Sequence, residues 1–318
     1  MTARTSSTPV AARTAEPRQT TGRRSTLSLL VLSLRPEQWT KNLLLFAGLI
    51  FGGRLLEVHA ALTSVAAFAI FCALSGAIYL FNDVWDRDTD RRHPLKQTRP
   101  IAAGDLAAPA ALLAAAALAA VALPAAFLVN PALGAVSAGY ALLMLLYSTA
   151  LKHVVIIDVL TIAGGFVLRA IAGALAVNVP IGAWLLSCTT LLALFLALSK
   201  RRHELILLGE GAVDHRRILE EYSPYLLDQM IAVVTASTLI AYAVFATSAD
   251  TAQRLGTSRL GLTIPFVLYG IFRYLYLVHQ KRGGGSPAAL LVTDRPLLAC
   301  IALWVGTVAV LMYSPLGR

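Results

Sequence analysis

The sequence predicts an all-α membrane protein with nine transmembrane helices, on three observations. Apolar runs of about 20 residues, long enough to cross a ~30 Å hydrocarbon layer, recur along the chain. Of its 318 residues 57% are hydrophobic and only 14% charged, with a mean hydropathy of +0.69, whereas soluble domains carry about 25% charged residues. The basic residues gather in alternate connections between the runs. A β-barrel would show period-two alternation, but a run such as 107–129 is apolar on every face.

In chain order, residues 1–25 are rich in Ser, Thr, Ala and Arg with one acid, Glu16. They lack an apolar core and read as a disordered basic tail. A mitochondrial transit peptide has a similar composition, and nothing resembles a cleaved secretory peptide. Residues 26–318 form one transmembrane domain, since no polar connection is long enough to fold separately. Its predicted spans are 42–58, 61–82, 105–128, 131–147, 155–176, 180–199, 227–247, 262–279 and 297–314.

The net charge of +10 raises nucleic acid as a partner, so its location matters. With the N-terminus inside, nine spans place the C-terminus outside and 22 of the 27 Lys and Arg on the inner side. That is the positive-inside rule of a plasma (inner) membrane protein, and it leaves no case for nucleic acid. Cys72, Cys188 and Cys300 all lie within apolar runs and indicate neither a disulfide framework nor a zinc site.

Ionisable groups near the hydrocarbon are costly, about 2.5–3.5 kcal/mol each on insertion scales, so the polar clusters carry the function. The strongest is Asn82-Asp83-Val84-Trp85-Asp86-Arg87-Asp88-Thr89-Asp90, at the inner end of the second span. At 100° per residue Asp83, Asp86 and Asp90 fall within roughly 60° of one another on a helix, with Asp88 on the far side. Three carboxylates on one stripe repel unless a cation lies between them. Hard oxygen donors with room for water suit Mg²⁺, which bridges carboxylates to phosphates. The plain alternative is a solvated helix end with Arg87 and Arg91 as local partners.

Basic residues follow at once: Arg91, Arg92, His93, Lys96 and Arg99. Lys96 and Arg99 lie where the loop folds back over a metal and meets the remaining phosphate charge. Tyr147 and Lys152 join spans four and five, and Asp158 opens span five on one helical face with Thr161, Gly165 and Arg169. Arg169 lies about 16 Å deeper than Asp158 and needs an anionic partner; it makes a structural ion pair with another helix, or it serves a lipid phosphate or a polar cavity wall. Lys200-Arg201-Arg202-His203-Glu204 closes span six, with Glu210, Asp214, His215, Arg216 and Arg217 beyond it. Three consecutive cations point three ways on a helix, so at least one faces inward; Lys200 and Arg202 are the candidates. Before span one stands Arg35-Pro36-Glu37-Gln38-Trp39-Thr40-Lys41-Asn42. It combines a helix-start proline, an interfacial Trp and Lys41 at headgroup depth. Gly48-x-x-x-Gly52 fits close packing but is a common pattern, and Gly283-Gly284-Gly285 reads as a hinge.

The run 82–90 resembles the first signature of the UbiA superfamily, Asn-Asp-x-x-Asp-x-x-x-Asp. Within that superfamily the chain is similar to decaprenyl-phosphate phosphoribosyltransferases. The matching residues are the segment 35–42, His93-Pro94-x-Lys96-x-x-Arg99-Pro100, Tyr147 to His153, Asp158 with Gly165 to Gly173, Lys200 to Glu204, and Asp294-Arg295-Pro296. The likeness covers residues 33 to 315. It implies nine helices around a cavity open sideways to lipid, a Mg²⁺-bound diphosphate, and transfer of 5-phosphoribosyl from phosphoribosyl pyrophosphate (PRPP) to polyprenyl phosphate, as in cell-wall arabinan precursor synthesis. It also implies roles: Asp83, Asp86 and Asp90 on the metal with Asn82 beside them; Lys96, Arg99, Lys152 and Arg202 on the donor's charges; Asp158 on the ribose; Lys41 and Arg169 on the lipid phosphate. One departure stands out. The superfamily's second motif has two acids spaced Asp-x-x-x-Asp, whereas here Asp158 is followed by Ile162, and Tyr147 to Lys152 is one residue longer than usual. That weakens the case for a second metal site and for a prenyl-diphosphate donor. Aromatic prenyl transfer in quinone synthesis is the rival enzyme reading, and a transporter or scaffold the rival outside enzymes. The residues leave the oligomeric state open.

Overall fold

The computed structural model describes residues 25–180, 182–208, 217–281, 290 and 293–314. The expected basic tail, the residues 210–216 beyond Glu204, and the glycine hinge at 283–285 lie outside them. Among the described residues there is no strand. Eight helices are long and apolar enough to cross a membrane.

A short helix α1 (Thr26–Ser33) precedes the first crossing, with the Ser25 side chain accepting from Ser28 N at its start. It buries Leu29 and Ser33 and exposes Leu27, Val31 and Leu32. The first crossing is not the single helix expected over 42–58. It is a 3-10 segment, Pro36–Leu45, continued by the α-helix α2 (Phe46–Phe51). At about 2.0 Å per 3-10 residue and 1.5 Å per α residue, these elements cover about 29 Å. Arg35 at one end reaches Asp83, and Arg54 beyond the other donates to Val177 O at 2.5 Å. Thr40, Trp39 and Asn42, weak helix formers, suit the irregular stretch.

Helices α3 (Val58–Trp85) and α4 (Arg87–Arg92) meet at Asp86. After α5 (Pro100–Ala103), ended by Gly104 at φ +87°, come α6 (Ala108–Val129) and α7 (Pro131–Thr149). Asn130 caps α7 by accepting from Ala132 N at 2.8 Å, and Pro131 occupies its first turn. Then follow α8 (Ile157–Ala176), α9 (Ala183–Leu208), α10 (Pro224–Thr247), α11 (Ala249–Leu255), α12 (Ile264–His279) and α13 (Arg295–Tyr313). Ser223, Ser248 and Asp294 supply the caps of α10, α11 and α13. Most observed boundaries fall within three residues of those expected. The exception is α9, which runs on to Leu208, so the basic run 200–204 lies on the helix rather than after it.

The bundle has two apolar halves. Leu45, Phe71, Leu74, Leu133, Tyr140 and Ala172 join the first crossing, α3, α7 and α8. Phe195, Leu198, Leu227, Ile231, Ile271 and Leu297 join α9, α10, α12 and α13. The first crossing sits tightly on α8: a Cβ on Gly173 would lie 2.0 Å from Leu45 O, and one on Gly48 2.6 Å from Ala174 Cα. Only glycine permits that approach. Gly48 therefore does serve close packing, against α8.

Candidate active site

The acidic stripe sits at the α3–α4 junction. Asp86 breaks the helix (φ −91°, ψ 5°), yet the helical bonding pattern continues through it, Asp86 N to Asn82 O at 2.9 Å and Asp90 N to Asp86 O at 2.8 Å. The one-face arrangement therefore survives the break. The side chains of Asp83 and Asp90 are each 3% exposed, and Asp86 is half-buried. Asp88 points away into solvent, beside Arg87 and Arg91.

Each carboxylate on the stripe already holds a cation from elsewhere in the chain. Arg99 Nη1 bridges Asp83 Oδ1 at 3.1 Å and Asp90 Oδ2 at 2.5 Å. Lys96 Nζ lies 3.9 Å from Asp90 Oδ1. Lys152 Nζ donates to Asp86 Oδ1 at 2.5 Å, across 66 residues. Arg35 donates to Asp83 Oδ1 and covers the Tyr79 ring at 4.9 Å. Arg35 was missed as a site residue, although its run 35–42 was singled out. Its backbone is left-handed (φ 53°, ψ 65°) directly before Pro36, a conformation that costs a non-glycine residue on the order of 1 kcal/mol and that proline disfavours further. Asn82 stands half-buried one residue before the stripe.

These residues fit Mg²⁺. The donors are hard oxygens, and they converge on points that cations occupy now, Arg99 Nη1 between two of them and Lys152 Nζ on the third. Among the described residues no three acidic, His or Cys side chains form a closed metal cage. Mg²⁺ does not need one, since it is usually held by one or two carboxylates, water and substrate phosphates.

A second polar centre lies beside the first. Asp158 is fully buried. It accepts from Arg201 Nε at 2.8 Å and from Tyr222 OH at 2.9 Å, and Tyr222 OH accepts in turn from Ile156 N at 2.8 Å. Burial pushes the Tyr222 phenol up to about 12, so it remains a donor at any working pH. Arg201, 1% exposed, also reaches Glu204 and, at 3.3 Å, Tyr147 OH. The carboxylate expected to meet the ribose is enclosed here by Arg201 and Tyr222, and it positions Arg201. Within the triplet it is Arg201 that meets Asp158. Lys200 pairs with Glu204 at 3.9 Å, and Arg202 is engaged by Asp228 on α10, at 2.5 and 3.3 Å, with His279 behind it.

Deeper in the bundle, Arg169 is 5% exposed. It donates to Asn42 Oδ1 at 2.7 Å, Tyr140 OH at 2.6 Å and Gly165 O at 3.0 Å, and lies over the Tyr140 and Phe166 rings. Among the described residues no carboxylate pairs with it, so the interhelical ion pair is ruled out there. Lys41, one residue before Asn42, also makes no ion pair among the described residues. A separate cavity of about 200 Å³ lies at the opposite end of the bundle, among Gly48, Phe51, Ala174, Trp184 and Phe245, and includes none of the stripe.

The profile of the UbiA prenyltransferase family matches residues 43–293. The chain is 34% identical over 301 residues to the decaprenyl-phosphate phosphoribosyltransferase of Mycolicibacterium smegmatis, covering 90% of this chain and 93% of that one. It is 32% identical to the protein of the same name from Corynebacterium glutamicum, covering 89% and 86%. Its fold matches a UbiA homolog from Archaeoglobus fulgidus bound to DMAPP and Mg²⁺, at a TM-score of 0.68 and 19% identity, over 88% of this chain and 97% of that one. A helical membrane bundle with this junction and these relatives has one assignment: the chain belongs to the UbiA prenyltransferase family and is a membrane-embedded transferase.

Proposed function

We propose that the protein transfers 5-phosphoribosyl from PRPP to a polyprenyl phosphate of the decaprenyl type, giving phosphoribosyl-phosphoryl-polyprenol and pyrophosphate. The observation that supports this most is the pairing of Asp83, Asp86 and Asp90 with cationic side chains at one helix junction. Such a site exchanges its internal ion pairs for a metal and a diphosphate at little net electrostatic cost. The names of the relatives supply the sugar and the lipid. The distribution of basic residues supports a plasma-membrane orientation with this junction on the cytoplasmic side.

Asp83, Asp86 and Asp90 would hold Mg²⁺, which when bound offsets the charge that builds on departing pyrophosphate. Lys96, Arg99 and Lys152 turn from the carboxylates to the phosphate oxygens and fix the donor. The bond from ribose C1 to pyrophosphate breaks with its electron pair leaving on oxygen, and an oxygen of the lipid phosphate bonds to C1 from the opposite face. An α donor thus gives a β product. The nucleophile is already an anion, so no general base is needed and positioning carries most of the rate. Lys41 and Arg169, cations without a carboxylate partner among the described residues, draw the lipid phosphate into the bundle. Asp158 and Tyr222 hold Arg201 toward Tyr147 at the edge of the site.

A prenyl-diphosphate donor is the rival, favoured by the DMAPP in the Archaeoglobus homolog. Purified protein incubated with ribose-labelled PRPP, decaprenyl phosphate and Mg²⁺ separates the two. The proposal expects label in the lipid phase. Label that stays in water, while a prenyl diphosphate is consumed with an aromatic acceptor, favours the rival.

A further inference from the structure

We infer that the stripe takes up its metal and the diphosphate as one coupled event, because Arg35, Arg99 and Lys152 act as counter-ions that hold the carboxylates closed to a metal alone. This rests on the reading of the stripe as a Mg²⁺–diphosphate site.

Charge supports the inference. Four cations, Arg35, Lys96, Arg99 and Lys152, face three carboxylates, Asp83, Asp86 and Asp90. Among the described residues this set carries one positive charge in excess, and a lone divalent ion would raise that to three in a largely buried place. A diphosphate brings the opposite: its terminal phosphate alone carries about −1.5 to −2 at pH 7. Metal and diphosphate together bring the site close to neutrality, whereas the metal by itself does not.

Geometry supports it too. Asp83 Oδ1 accepts from both Arg35 and Arg99, and Arg99 Nη1 sits between Asp83 and Asp90. A metal binding these oxygens must displace both guanidinium groups. Displaced without a phosphate to receive them, Arg35 and Arg99 would stand as uncompensated cations at the membrane boundary. With a phosphate present, the planar forks move from carboxylate to phosphate oxygens and keep their hydrogen bonds. Arg35 is the clearest such group. Its left-handed backbone before Pro36 fixes where its side chain starts, and that side chain is 21% exposed against 3% for Asp83.

The predicted signature is opposite in sign for two ligands. Removing a counter-ion frees the carboxylates for a lone metal but takes away a phosphate grip. The test uses the full-length protein in nanodiscs, with Mn²⁺ as the paramagnetic metal probe and inorganic pyrophosphate as the anion, followed by electron paramagnetic resonance and calorimetry. In the unsubstituted protein pyrophosphate tightens Mn²⁺ binding by about tenfold or more, and Mn²⁺ tightens pyrophosphate binding by the same factor, as linkage requires. Arg35→Gln binds Mn²⁺ alone several-fold more tightly and Mn²⁺–pyrophosphate several-fold more weakly, while Arg35→Lys lies between. Lys152→Gln repeats the pattern at Asp86, independently of how well the Arg35 variant folds. The inference is overturned by Mn²⁺ binding equally well with and without pyrophosphate, or by variants that weaken both ligands together, as a structural role would. Absence of any Mn²⁺–pyrophosphate binding in the unsubstituted protein overturns the underlying reading instead.

Discussion

Lys152 Nζ lies 2.5 Å from Asp86 Oδ1 and so ties the α7–α8 connection to the break between α3 and α4. Two segments that are remote in sequence become one charged wall. Replacing Lys152 by Gln leaves Asp86 without its cation and the donor with one contact fewer. The expected outcome is a loss of about 10²-fold in kcat/KM for transfer, comparable to removing one preorganised donor from a transition-state site. Because Lys152 is buried, a melting curve of the variant separates loss of transfer from loss of fold.

Asp90→Asn keeps the shape of the buried side chain and removes its charge. Arg99 then retains only Asp83, and the metal loses a ligand. Transfer measured at saturating donor falls about 10²- to 10³-fold, and added Mg²⁺ recovers only part of the loss. Unchanged activity would separate the stripe from the chemistry.

Asp158 predicts a stability effect. The Asp158–Arg201 pair is 0% and 2% exposed, and removing one partner of such a pair costs about 3–5 kcal/mol. Asp158→Asn therefore lowers the melting temperature of the detergent-solubilised protein markedly. Tyr222→Phe deletes two hydrogen bonds, one donated to Asp158 and one accepted from Ile156 N, and costs about 1–3 kcal/mol. Arg202→Gln, which touches Asp228, leaves the donor KM unchanged.

Lys41 and Arg169 divide differently. Lys41→Gln raises the KM for the lipid phosphate about tenfold and leaves the KM for the soluble donor alone. Arg169→Lys lacks the fork that serves Asn42, Tyr140 and Gly165 together, so it loses both lipid affinity and thermal stability. Initial rates at varied lipid, with a melting curve for each variant, check both.

Gly173→Val tests the close approach of the first crossing to α8. Its side chain would begin 2.0 Å from Leu45 O, so the crossing must shift, at a cost of about 1–3 kcal/mol or more. A normal melting temperature would contradict the packing described.

Much of this was legible in the chain. The runs that became α3, α6, α7, α8, α10, α12 and α13 are long and predominantly apolar, so hydropathy and length located them. The stripe was legible because helical periodicity is local: 83, 86 and 90 share a face whatever surrounds them. Two kinds of feature were not legible. The first crossing was read as one helix, because hydropathy does not distinguish a 3-10 stretch from an α-helix, and the polar run 36–42 lies inside it. Partner choice was also hidden. Lys200, Arg201 and Arg202 differ only in azimuth, and the azimuth that faces Asp158 depends on how α9 rotates against α8. Arg35 had a signal, an arginine held directly before a proline, but its contact with Asp83 spans 48 residues and no local pattern encodes it.

The most direct test of the central claim is an experimental structure of the full chain in lipid, determined with Mg²⁺ and PRPP. The account predicts density for the pyrophosphate over the α3–α4 junction, a metal on Asp83, Asp86 or Asp90, and Arg99 and Lys152 turned from carboxylate to phosphate. Donor density elsewhere, in the cavity at the opposite end for example, with Arg99 still bridging Asp83 and Asp90, would contradict it.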